Sequence, residues 1–87
     1  MIWRLAYSKQ ARKDAKKLSV SGLKAQAEHL LAILVEDPYQ NSPPYEKLKG
    51  NLSGAYSRRI NIQHRIVYQV LENFKTVYVL RMWSHYE

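Results

Sequence analysis

Apolar and polar positions along the chain follow two periodicities. Ile2-Trp3-Arg4-Leu5-Ala6-Tyr7 alternates loosely and is rich in strand-forming residues, which predicts a first strand that Ser8 stops. Ser8 is placed to cap a helix from Lys9 to about Leu18, with Ala11, Ala15 and Leu18 on its buried side. Lys9, Arg12, Lys13, Lys16 and Lys17 recur every three or four residues and form a basic stripe on the exposed side. Ser21 can cap a second helix, in which Leu23, Ala27, Leu30, Leu31 and Leu34 keep helical spacing until Asp37-Pro38 ends it.

All three prolines, Pro38, Pro43 and Pro44, mark the loop that follows and delivers Glu46. A turn at Asn51-Leu52-Ser53-Gly54 leads into three strand-like runs, Tyr56 to Ile60, Arg65 to Val70 and Thr76 to Trp83, joined through residues 61–64 and 71–75. This order predicts an α+β domain spanning residues 1–87, β-α-α-β-β-β with room for one more strand. Its two helices pack on one face of a twisted, mainly antiparallel sheet. Alternation points Ile66, Tyr68 and Val70 under the helices and Arg65 away from them. In the last strand Tyr78, Leu80 and Met82 form the expected core set, so Val77, Val79, Arg81, Trp83 and His85 take the opposite face. Arg59 joins Arg65 there if the hairpin pairs positions of equal parity, which requires an odd-length turn or a bulge.

Composition narrows the function classes. Eighty-seven residues, 46% of them hydrophobic, suit one small folded domain. The absence of cysteine excludes disulfide staples and thiolate metal or redox sites, as expected of a cytoplasmic protein. The longest apolar run, Leu30 to Val35, is far short of the roughly 20 residues a membrane span needs. The formal net charge of +7 is divided between two zones: residues 1–24 carry +6 and residues 46–65 carry +4, with an acidic helix between them. Such an excess favours a polyanionic partner, whether nucleic acid, the ribosome, an anionic membrane surface or an acidic protein.

The run Leu48-Lys49-Gly50-Asn51-Leu52-Ser53-Gly54-Ala55-Tyr56-Ser57-Arg58-Arg59-Ile60, continued by His64-Arg65-Ile66-Val67-Tyr68 and closed by Trp83-Ser84-His85-Tyr86, resembles the signature of the Txe/YoeB toxins. These belong to the RelE/ParE superfamily. The resemblance implies a RelE-like microbial RNase fold and a ribosome-dependent mRNA interferase that cuts mRNA in the ribosomal A site without a metal or other cofactor. It also implies an acidic antitoxin partner of the YefM/Axe type, and leaves monomer or homodimer open. By the same resemblance Glu46, Arg65 and His85 are the catalytic set, with Lys47, Lys49, Arg59 and Tyr86 positioning the substrate; the facing of the last strand adds Arg81 to them. The basic stripe of Lys9, Arg12, Lys13, Lys16 and Lys17 would then dock on ribosomal RNA.

These residue types suit metal-free RNA cleavage. The substrate's own 2′-hydroxyl attacks the adjacent phosphate, so the enzyme must supply a base, cations for the phosphorane-like transition state, and an acid for the departing 5′-oxygen. Glu46 is the candidate base, Arg65 with Arg59 the candidate charge stabilisers, and His85 the candidate acid. A Glu base calls for partial burial to make it more basic, and nearby Lys47 and Lys49 oppose that gain by favouring the charged carboxylate, so His85 as the base with an Arg-stabilised leaving group is an open alternative. Plainer readings compete: Glu46 with Lys49 as a surface ion pair, Arg58 as scaffold, the helical stripe as a solvated face, and His29 and His64 as surface or boundary residues. Tyr56, Trp83 and Tyr86 are candidates for stacking on bases. Two rival functions also fit: a ParE-like toxin that binds and inhibits gyrase without nuclease chemistry, and a catalytically silent RNA-binding or antitoxin-sequestering module.

Overall fold

Ser8 both ends a strand and starts a helix. In the structure, a computed structural model that describes residues 2–41, 44–50 and 54–83, strand β1 (Arg4–Tyr7) stops at Ser8. The Ser8 Oγ accepts the Ala11 N–H at 3.0 Å and caps α1 (Lys9–Val20). The same hydroxyl donates to the Leu80 carbonyl at 2.7 Å, fastening the helix start to the last strand.

The helix runs to Val20 rather than about Leu18 because Gly22, at φ 81°, supplies the left-handed residue that ends it. Gly22 N–H reaches the Ser19 carbonyl and Leu23 N–H the Leu18 carbonyl, which is the Schellman pattern. Ser21 therefore closes the first helix instead of capping the second; its hydroxyl donates to the Leu18 carbonyl at 3.1 Å. The second helix, α2 (Lys24–Glu36), begins after Leu23 with no side-chain cap.

Five strands form one sheet in the order β1-β5-β4-β3-β2, where β2 is Glu46–Lys47, β3 Ala55–Arg59, β4 Arg65–Leu71 and β5 Thr76–Arg81. All neighbours are antiparallel except β1 and β5, which run parallel. The short 3-10 turn Glu72–Phe74 and Lys75, at φ 50°, connect β4 to β5. Both helices lie on one face, where Ala11, Leu18, Ala27, Leu30 and Leu34 meet Ile66, Tyr68, Val77, Val79 and Met82. Among the described residues no helix is long and apolar enough to cross a membrane.

The last strand reverses its expected facing. Val77 and Val79 are fully buried beneath the helices, while Tyr78 and Leu80 are only half-buried. Both alternating sets are apolar, so alternation alone could not choose between them. A register shift then changes the parity: Tyr68 pairs with Val79, but Val67 pairs with Arg81. That bulge keeps Arg81 on the open face and returns Met82 to the core. Trp83, expected on the open face, packs against the core edge and stacks on the His64 ring at 4.0 Å. His64 is itself buried, and its Nδ1 is hydrogen-bonded to the Trp83 carbonyl. The Ala15 position, expected inside, is exposed; Asp14 is buried in its place.

Candidate active site

Strand register brings the candidate residues together. The hairpin between β3 and β4 pairs Arg59 directly with Arg65, so the equal-parity condition holds. Five residues turn the chain, and the Asn61 Oδ1 accepts the backbone N–H groups of Gln63 and His64 to shape that turn. On the neighbouring row Glu46 pairs with Ser57, Ser57 with Val67, and Val67 with Arg81. Glu46, Arg59, Arg65 and Arg81 thus share the sheet face opposite the helices. Ala55, Ser57 and Val67 are buried on that face and make a small floor beneath the longer polar side chains.

The central contact is ionic. Arg65 Nη1 donates to Glu46 Oε1 at 2.7 Å, the one ion pair among the described residues. Arg65 is largely shielded, at 22% side-chain exposure, whereas Glu46 is 67% exposed. Glu46 therefore lacks the partial burial expected of a Glu base. Like charges directly opposite on paired strands oppose folding, and Arg59 with Arg65 is such a pair. Arg59 has no carboxylate partner among the described residues and lines, with Pro44, Glu46 and Ser57, a cleft beside the Glu46–Arg65 pair, where two guanidinium groups and one carboxylate leave a surplus of positive charge. That arrangement is suited to an anion with planar, bidentate acceptors.

Other candidates take different positions. Lys47 pairs with Tyr56, so alternation places it on the side opposite Glu46, at an exposed edge. Lys49 is exposed just beyond that edge, and Arg81 is exposed at the far end of the Glu46 row. Lys9, Arg12, Lys13, Lys16 and Lys17 are all exposed along α1, as the stripe requires. His85 and Tyr86 lie outside the described residues. Tyr56 sits in a cluster with Tyr39, Tyr45 and Tyr68 rather than standing free for a base.

Behind the site, Arg58 holds the approach to Glu46. It is buried on the helix side of the sheet, opposite Ile66. Its Nε donates to the Tyr68 hydroxyl at 3.1 Å, and its Nη2 to the Pro38 carbonyl at 3.1 Å and to the Gln40 carbonyl. The guanidinium also lies 5.1 Å from the centre of the Tyr45 ring. These contacts pin the chain on both sides of the proline loop immediately before Glu46.

Asp14 performs a similar task at the other end. Its carboxylate accepts the Met82 N–H at 3.0 Å and the Gln10 amide at 2.8 Å, tying α1 to the end of β5. Its signal was present in the sequence, since Ala11, Asp14 and Leu18 recur on one helical stripe and a carboxylate on an apolar stripe needs a partner. Ser57 carried no such signal, because its burial depends on the pairing of β3 with two neighbours.

Comparison with known proteins bears on the family and the fold. Residues 7–86 match the family model described as the YoeB-like toxin of bacterial type II toxin-antitoxin systems. The chain is 36% identical over 58 residues to Toxin YoeB of Synechocystis sp. (strain ATCC 27184 / PCC 6803 / Kazusa), a stretch covering 67% of this chain and 65% of that protein. It is 48% identical over 40 residues to Toxin YoeB of Streptomyces coelicolor, covering 46% and 48% respectively. The matched stretches thus span less than two thirds of these relatives. Among solved structures, the YoeB/ParE toxin from Agrobacterium tumefaciens superposes with a TM-score of 0.86 at 25% identity, covering 95% of this chain and 99% of that one. The toxin of the YoeB-YefM complex from Staphylococcus aureus gives 0.81 at 30% identity, covering 99% and 100%. The chain belongs to the YoeB-like toxins of bacterial type II toxin-antitoxin systems.

Proposed function

We propose that the protein is an mRNA interferase that enters the ribosomal A site and cleaves the mRNA there without a metal. The observation that carries this reading is the Glu46–Arg65 ion pair beside Arg59 on the open sheet face. An RNA phosphate entering the cleft offers Arg65 a second acceptor and draws the guanidinium away from Glu46. The freed carboxylate takes the proton of the 2′-hydroxyl, O2′ bonds to phosphorus, and the P–O5′ bond breaks. Arg65 and Arg59 balance the charge that builds on the non-bridging oxygens. His85 gives the departing O5′ its proton. The products are a 2′,3′-cyclic phosphate and a 5′-hydroxyl.

This pairing also gives the exposed Glu46 a way to work as a base. The carboxylate is silenced by Arg65 until substrate arrives, and binding exchanges a carboxylate partner for a phosphate partner. Expulsion of water on closure against the ribosome then strengthens each contact.

The partners follow from the charge. The stripe from Lys9 to Lys17 meets ribosomal RNA phosphates. An acidic antitoxin covers the basic surface when translation is to proceed. A groove between α1 and α2, floored by Leu18, Ala27 and Leu31 and rimmed by Arg12, Lys16 and Lys24, suits an acidic amphipathic segment of that antitoxin; Glu28 on the same rim sets its register by repulsion. Primer extension on ribosome-programmed mRNA tests the activity. Wild type is expected to give A-site cuts, and Arg65→Ala and His85→Ala to lose them; equal cleavage by the variants would overturn the site, and gyrase inhibition without cleavage would overturn the class.

A further inference from the structure

The Ser57 side chain lies at the floor of the cleft walled by Pro44, Glu46 and Arg59. Register puts it directly opposite Glu46 and two residues before Arg59 on the same face. Ser57 is 1% exposed, and its Oγ has no hydrogen-bond partner among the described residues. A buried hydroxyl without a partner opposes folding, and alanine would fill the same space without that cost. A serine kept there is explained if its partner arrives with the substrate.

We propose that Ser57 is a substrate-binding residue of this cleft, whose Oγ–H donates to a non-bridging oxygen of the scissile phosphate alongside Arg59 and Arg65. The assignment rests on the nuclease reading above and adds a neutral donor to its two cations. Two guanidinium groups supply charge but approach from one side, where Arg59 and Arg65 stand as cross-strand neighbours. A hydroxyl rising from the floor beside Glu46 reaches the phosphate from another direction. It thereby fixes the phosphate's rotation, which decides whether O2′ lies in line with the P–O5′ bond. In the free protein the hydroxyl is desolvated in advance, so its donation costs no further loss of water when the phosphate seats.

The test compares wild type with Ser57→Ala on ribosomes whose A-site codon carries a single Rp or Sp phosphorothioate at the scissile linkage. Sulfur accepts a hydroxyl hydrogen bond poorly. Wild type should be slowed more by one diastereomer than by the other. Ser57→Ala should cleave the natural linkage about 10- to 100-fold more slowly, with the diastereomer difference reduced or gone. Its Tm should equal or exceed that of wild type, because an unpaired buried group has been removed. Unchanged turnover, or an unchanged diastereomer difference, would overturn the assignment. So would a Tm that falls together with activity, which places Ser57 in the scaffold. Wild type that cleaves no mRNA at all would remove the nuclease reading itself, and Ser57's role with it.

Discussion

Arg65 Nη1 sits 2.7 Å from Glu46 Oε1 while its own strand position faces Arg59. The pair joins the edge strand β2 to the second strand away from it, across the Ser57 row. Because Glu46 is mostly exposed, the pair should add under about 1 kcal/mol to stability. Its catalytic worth should be far larger, on the order of 10²- to 10⁴-fold. Urea unfolding of Glu46→Gln should therefore give a midpoint close to wild type, while cleavage collapses. A large loss of stability with little loss of rate would reverse this assignment.

Arg58 should be the costly arginine for folding. Removing its guanidinium takes one donor from the Pro38 and Gln40 carbonyls and one from the Tyr68 hydroxyl, whose own O–H reaches the Pro38 carbonyl at 3.4 Å. Arg58→Ala should lose about 3 kcal/mol or more by chemical denaturation, and Arg59→Ala much less. Arg59→Ala should instead lower cleavage. The adjacent arginines thus separate by assay, one in stability and one in rate.

Asp14 makes a prediction at the helix side. Asp14→Ala leaves the buried Met82 N–H unsatisfied and should cost about 1–3 kcal/mol. Hydrogen exchange at Met82 should accelerate relative to the β4 amides, since the tie between α1 and β5 is cut. Unaltered exchange at that amide would show that the contact does not hold the strand end.

Alkaline pH should weaken the fold. Burial raises the pKa of Tyr68, against the opposing donation from Arg58. The folded state then keeps a proton that the unfolded chain releases near pH 10, so the slope of unfolding free energy with pH is negative above that point. The contribution is complete below about pH 10 and is lost as pH rises through the folded pKa. Tyr7, raised by burial, and Tyr39, raised first by its hydrogen bond to Glu72, act in the same direction. Tyr68→Phe should start about 1 kcal/mol less stable and show a shallower alkaline decline in titrations followed by circular dichroism.

Much of this was legible along the chain, for local reasons. Ser8, the α1 stripe and the Asp37-Pro38 stop are signals within one or two turns of a helix, and each is realised. Whether Arg59 shares a face with Arg65 stayed conditional, because the predicted connection, residues 61–64, is even in length, and Ile60 joins the turn to make it odd only through the pairing of β3 with β4. The facing of β5 was not legible, since Val77, Tyr78, Val79 and Leu80 are all apolar and the bulge that rescues Arg81 arises from pairing with β4. The burial of His64 depends on Trp83 returning from the end of the sheet, and that of Ser57 on strands from both sides. Contacts made across the sheet leave no period in the sequence.

A single 2′-deoxy substitution tests the central claim most directly. An mRNA carrying 2′-deoxyribose only at the nucleotide 5′ to the scissile phosphate would be placed in the A site and compared with its all-ribose twin. The ribose mRNA should be cut to a 2′,3′-cyclic phosphate and a 5′-hydroxyl, and the deoxy mRNA should bind but stay intact. Cleavage of the deoxy mRNA, or a 5′-phosphate on the downstream product, would contradict that claim.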